Sequence, residues 1–216
     1  MAGRPREFDD QLVIQAAMDA FWRNGFEATS AQELVDSTGL GRGSLYAAFG
    51  SKENLYHEAL RRYHRSSIEF HEEVFRQPGS VKDRLRILLE KGIELDFSDI
   101  ERNGCMAIFS PLERAAKDKT VEGLSRSYIK ELEGMFVALF SAGITTGEFE
   151  RGRQAQSMAK AFMCAYFGFR VFGRIVHEPE YQFPCVTYQP ADVDLHHRRS
   201  LRGEHGYILN NHQCTH

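Results

Sequence analysis

From Phe8 onward the apolar positions Phe8, Leu12, Val13, Ala16, Ala17, Ala20 and Phe21 recur at spacings of three and four, the period of one helix face. Gly25 followed by Phe26 supplies a stop with an apolar residue beyond it, so a first helix is expected to close there. Ser30, three residues ahead of Glu33, has the spacing of a capping box and opens a helix of barely two turns, with Leu34 and Val35 inward and Gly39 at its end. Past Gly39-Leu40-Gly41, Leu45 and Phe49 share one face of another short helix over Arg42 to Phe49, with Ser44, Ala47 and Ala48 off that face. Ser51 then caps a longer helix whose inner stripe runs through Leu55, Ala59 and Tyr63. Helices of two turns are marginal alone in water, so the short pair must lean on the longer helices around it. Two short helices joined by a tight glycine turn are what a helix-turn-helix uses to place its second helix in a major groove.

The pattern stays helical in the second half. Gln77-Pro78-Gly79-Ser80 breaks the long connecting helix and is the best boundary in the chain, so the linker is expected there. Beyond it, Val81, Leu85, Leu88, Leu89 and Ile93 predict one amphipathic helix, Cys105 to Ala116 another, Val121 to Phe140 a third and Ala155 to Val176 a fourth. The last is apolar almost all round. Met158, Phe162, Ala165, Phe169, Phe172 and Val176 form one seam with Met163, Tyr166 and Phe167 off it, which predicts that the seam packs on a second subunit, with Gly168 and Gly173 permitting close approach; a central helix of a monomeric bundle is the open alternative. From Tyr181 periodicity is lost. Pro184 and Pro190 argue against a long helix, and His196, His197, His205, His212, Cys214 and His216 match no common zinc spacing, so residues 181–216 are expected to be an irregular tail without a metal site.

Composition narrows the class without naming a partner. No apolar run approaches the roughly 18 residues that span a bilayer, so no membrane partner is expected. The start "MAGRPREFDD" lacks a signal-peptide core, and the four cysteines show no C-x-x-C pairing, which points to the cytoplasm. Net charge is -3 and the N-terminal third carries no basic excess, so any case for nucleic acid rests on where residues sit.

The stretch "NGFEATSAQELVDSTGLGRGSLYAAFGSKENLYHEAL" resembles the DNA-binding region of the tetracycline-repressor (TetR) family of transcriptional regulators, through Gly25-Phe26, Thr29-Ser30, the glycine-bounded turn, and Leu45-Tyr46 with Phe49 and Lys52. The resemblance implies an all-α fold: a helix-turn-helix DNA-binding domain over 1–65, a helical effector-binding and dimerization domain over 66–180, and the tail beyond. It makes Arg42 to Ala48 the recognition helix, with Ser44 and Tyr46 on the duplex, Gly43 letting the backbone approach closely, Thr29 and Ser30 at the entry, Lys52 on a phosphate, and Arg4 of "GRPRE" reaching the backbone or minor groove. Ala47 and Ala48 depart from the bulkier residues of many relatives and imply methyl contacts or DNA shape more than direct base reading. Packing for Tyr46, self-capping for Ser44 and plain solvation for Lys52 remain open alternatives.

The implied partners are double-stranded operator DNA, a small-molecule effector and a second copy of the chain. Phe97, Phe109, Tyr128, Phe136, Phe162 and Tyr166 are candidates to line the effector cavity, with ordinary core packing the alternative for most of them. Cys105, in "RNGCMAIF", resembles a position where some family members sense electrophiles or oxidants, and a plain buried small hydrophobe is the favoured alternative there. Phe162, Ala165, Phe169, Phe172 and Val176 are the expected dimer contacts. No catalytic residue or cofactor is predicted. The rival readings are a helical ligand-binding protein that has lost operator binding, and an enzyme using Cys105 as nucleophile.

Overall fold

The computed structural model describes residues 8–98 and 104–176, with side chains of 96–98 excluded; Arg4, the side chain of Phe97 and the 181–216 tail lie outside the described residues. Among the described residues there are eight helices and no strand: α1 (Asp10–Ala28), α2 (Ala31–Thr38), α3 (Arg42–Phe49), α4 (Lys52–Phe75), α5 (Val81–Ser98), α6 (Met106–Arg114), α7 (Lys119–Thr146) and α8 (Ala155–Ile175).

The N-terminal elements follow their local signals. Asp9 caps α1 by accepting from the Gln11 amide, and Ser30 and Glu33 close the capping box on α2 in both directions. Gly39 ends α2 in the left-handed region at φ 70°, where a side chain would be strained, and its amide returns to the Val35 carbonyl. Leu34, Leu45 and Leu55, one from each of α2, α3 and α4, are wholly buried on the underside of α1 with Phe21, Phe26 and Tyr56. Three aromatic contacts lock that floor: Phe21 on Phe26, and both rings edge-on to Tyr56.

Gly25 does not end the first helix. It takes φ 79°, kinks α1, and the chain runs on to Ala28. The cause is tertiary: the Glu113 carboxylate of α6 accepts the amides of Phe26 at 3.0 Å and Glu27 at 2.9 Å, taking up donors that the kink releases from the α1 ladder.

A second core gathers Leu85, Leu88, Tyr128, Leu132, Phe136, Phe140, Ala159, Met163 and Phe169 from α5, α7 and α8. Helix α4 belongs to both cores, supplying Leu55 to Leu60 to the first and Ile68 and Val74 to the second, with Tyr63 packed against each. The Gln77–Ser80 break ends α4 after it has crossed the second core. Helices α4 and α7 run parallel, since His57 meets Asp118, Ser67 meets Tyr128 and Phe75 meets Phe136 in ascending order. The third expected helix is longer than its apolar stripe: Asp118 caps it through the Thr120 and Val121 amides, and Gly147 closes it in the left-handed region. Cys105 stands just before α6 as its cap residue.

Candidate nucleic-acid interface and effector core

Only one side of α3 is needed to hold it down. Leu45 is sealed in the core and Phe49 half-buried, leaving Arg42, Gly43, Ser44 and Ala47 exposed on a smooth outer face. Tyr46 lies half-buried at its edge, with the Arg42 guanidinium 5.9 Å from its ring centre. A helix with small side chains outward and a single large anchor inward can enter a groove without clashing. Ser30 is exposed too: its Oγ accepts the Glu33 amide, leaving the hydroxyl hydrogen for an outside acceptor. Thr29 must be withdrawn from the expected contact set. It has no accessible surface, and its hydroxyl donates to the Gly25 carbonyl at 2.6 Å, so it stitches the α1 kink.

Lys52 is placed by α4 and by an aromatic ring. Ser51 caps the helix by accepting the Asn54 amide, and Lys52 Nζ lies 4.4 Å from the Phe26 ring centre, with the Arg114 guanidinium 4.1 Å from the same centre. The helix start favours negative charge: the Glu53 carboxyl is held below its usual range by its own backbone amide and by Ser51.

The two cores are joined by a polar seam that sequence spacing does not reveal. Arg114 of α6 pairs with Glu27 of α1 at 2.7 Å and approaches Asp118 at 3.8 Å, and Asp118 meets His57 of α4 at 2.7 Å. Burial opposes the Asp118 charge, yet hydrogen bonds from His57 and the Val121 and Thr120 amides leave its carboxyl below the usual range. Nearby, Trp22 Nε1 donates to the Gly104 carbonyl at 2.8 Å, and a cleft of about 380 Å³ opens between Trp22, Phe109, Glu113 and Arg174. Phe109 belongs here, under the Arg174 guanidinium at 4.5 Å, rather than with the other aromatic candidates.

Those others converge. Phe136 contacts Phe162, Phe162 stacks on Tyr166, and Tyr63 donates to Cys105 Sγ at 3.6 Å near Tyr128. The structure adds polar residues that the apolar pattern passed over: His64 and His71, both buried, with half-buried Ser67 between them on one stripe of α4, and buried Arg170 of α8. His64 stacks on Tyr128 at 4.5 Å, Ser67 Oγ and the Tyr128 hydroxyl share a hydrogen at 2.8 Å, and His71 lies edge-on to Tyr166 and Phe136. Burial drives the Tyr63 and Tyr128 phenols well above their ordinary range, and drives both imidazoles down to about 4, so both are neutral near pH 7. The spacing of 64, 67 and 71 is visible in the sequence; what it lacks there is any sign that this face is buried.

The expected seam of α8 is corrected. Phe169 is 4% exposed within its own chain, pressed so close to α5 that a Cβ on Gly92 would come within 2.9 Å of its ring. Phe162 is likewise turned toward Phe136 and Phe140, and Val176 stands just past the helix as its cap. Of the expected contacts Ala165 and Phe172 are on the open face, together with Ala161, Cys164 and Ile175. Among the described residues no helix is long and apolar enough to cross a membrane, and no three metal-binding side chains are grouped.

Comparison with known proteins bears on this arrangement. Residues 13–59 match the family model described as bacterial regulatory proteins, tetR family. An uncharacterized HTH-type transcriptional regulator of Bacillus subtilis strain 168, YezE, is 33% identical over 135 residues, covering 62% of this chain and 69% of that protein. The HTH-type transcriptional repressor ComR of Escherichia coli K12 is 39% identical over 84 residues, covering 38% of this chain and 40% of the repressor. Among solved structures, a cysteine mutant of the TetR family regulator CifR, complexed with 26-base-pair operator DNA, superposes with a TM-score of 0.75 at 28% identity, covering 86% of this chain and 96% of that one.

Proposed function

The chain belongs to the TetR family of bacterial regulatory proteins, and from that premise we propose that it is a transcriptional repressor: a homodimer that holds a pseudo-palindromic operator and releases it when a small molecule enters the second core. The observation that carries the reading is the outer face of α3, where Arg42, Gly43, Ser44 and Ala47 are exposed while Leu45 anchors the helix from beneath. Repressor is favoured over activator by the relative ComR, which bears that name. The enzyme reading is disfavoured at Cys105, which is buried and whose sulfur accepts a hydrogen bond from the Tyr63 hydroxyl. The test is selection of bound duplexes from random DNA. Inverted half-sites with centres about 34 Å apart, or a near multiple, are expected; a pool with no enriched sequence would reject the reading.

Arg42, Ser44 and Tyr46 read or seat against bases in this account, while Ser30 and Lys52 hold phosphates, with Arg4 as a further backbone or minor-groove contact. Lys52→Ala is therefore expected to weaken specific and random DNA alike and to lower the magnitude of the salt slope by about 1. An unchanged slope, measured by anisotropy across a salt series, would leave Lys52 as a partner of the Phe26 ring only.

Release requires that effector binding favour a spacing of the two α3 helices that no longer fits the half-sites. The carboxylate of Glu113 and the pairs around Arg114 and Asp118 are the covalently short route: α6 and α7 rise into the effector core, and Glu113 grips α1 directly behind the helix-turn-helix.

A further inference from the structure

We propose that the effector is an uncharged molecule with a hydroxyl group on an aromatic or alicyclic body, and that this hydroxyl donates its hydrogen to Nε2 of His71. The inference rests on the reading that the second core receives an effector, and adds what that effector must offer.

The tautomer is fixed by geometry. His71 Nδ1 lies 2.6 Å from the Ser67 carbonyl oxygen, and a carbonyl only accepts, so Nδ1 carries the hydrogen. In a neutral imidazole the lone pair is then on Nε2. That atom is fully buried with no hydrogen-bond partner, in a side chain 2% exposed. Around the ring stand Phe70, Phe75, Phe136 and Tyr166, all edge-on. A buried acceptor without a donor is a standing cost that binding of the right group removes. Apolar walls with a few placed polar atoms are also how ligand sites are generally made.

Two turns earlier on α4, His64 repeats the feature: its Nε2 is buried without a partner while its ring lies flat on Tyr128. Between the two imidazoles sits the Ser67–Tyr128 hydroxyl pair, so the polar atoms form a line along α4 with aromatic rings on both sides. A hydrocarbon would leave the His71 lone pair unmet. A carboxylate would be drawn by Arg170, whose charge is felt at His71, but would set its own lone pairs against Nε2. A hydroxyl satisfies the acceptor without bringing charge into the core.

Three probes on one para-butylphenyl scaffold separate these cases: para-butylphenol, para-butylanisole and para-butylbenzoate, titrated calorimetrically into the full chain. The phenol is expected to bind at least about tenfold tighter than the anisole, in which a methyl group replaces the donated hydrogen, and tighter than the benzoate. His71→Phe is expected to bring the phenol down to the level of the anisole and leave the anisole unchanged. His71→Gln, which can again present an acceptor oxygen, is expected to restore part of the preference, and covers the case in which the phenylalanine variant misfolds. Equal binding of phenol and anisole, tighter binding of benzoate, failure of all three probes, or a preference that survives His71→Phe each overturns the proposal. Operator binding is measured on the same preparations: a chain that holds its selected duplex but takes no probe loses this inference and keeps the regulatory reading, whereas one that takes the phenol but no duplex does the reverse.

Discussion

Phe172→Glu is expected to turn the dimer into a folded monomer and to remove most of the operator affinity. Phe172 is 59% exposed and Ile175 67% exposed on the open side of α8, in line with Ala161 and Ala165. The spacings of four, seven and three residues repeat on one helix face, with small residues at one end that allow a second backbone to come close. In a two-fold interface the same surface meets itself, so a single substitution is felt twice. A carboxylate buried there without a partner costs about 3–5 kcal/mol, which weakens self-association by roughly a hundredfold to a thousandfold or more. Because Phe172 is open in its own chain, the subunit keeps its fold, and operator binding falls because one helix-turn-helix loses its neighbour's half-site. Phe169→Glu is the contrast. It puts the same charge beneath α5, against Gly92, and is expected to unfold the subunit instead. Sedimentation and thermal melting of the two variants separate the faces; a Phe172→Glu chain that still sediments as a dimer and binds its operator would show that the subunits meet elsewhere.

That the two phenylalanines were read as one seam shows how far pattern reaches. Periodicity defines a stripe on α8, but a helix rich in apolar residues on every side offers several stripes, and the choice between them is made by α5 through Gly92, far away in sequence. The helix-turn-helix was legible because its instructions are local: a capping box at Ser30 and Glu33, a left-handed glycine at 39, and leucines at the right period. It failed where a distant partner intervenes. Gly25 carries the stop signal the sequence suggests, yet Glu113, 88 positions later, holds a further turn in place, and Thr29 is drawn inward to serve the same kink. In the second core the aromatic half of the candidate site was visible as composition and the polar half was not. Histidine and serine at 64, 67 and 71 read as the wet side of an amphipathic helix until α7 and α8 are packed over them.

The same burial makes the protein acid-labile in a defined window. His64 and His71 have pKa values lowered from 6.5 to about 4, by desolvation in both; at His71 the Ser67 carbonyl works the other way and Arg170 adds to the depression. Above pH 6.5 both imidazoles are neutral in the folded and the unfolded chain, and they contribute no pH dependence. Below it the unfolded chain takes up two protons that the folded chain refuses, so stability falls as pH falls, until protonation of the folded state near pH 4 ends the loss. Each lowering is worth about 3 kcal/mol at full expression, and the two together about 6–7 kcal/mol, comparable to the whole stability of many domains. Asp118, held below its ordinary value of 3.8, adds a further loss only below that value, past the acid end of the histidine window. The expected result is a urea midpoint that is flat down to about pH 6.5 and then drops steeply toward pH 4, with a double variant His64→Phe, His71→Phe that keeps most of its stability over the same interval. If the variant and the parent chain lose stability in parallel, the protons responsible bind elsewhere, and the two imidazoles are not the buried neutral pair on which the effector chemistry depends.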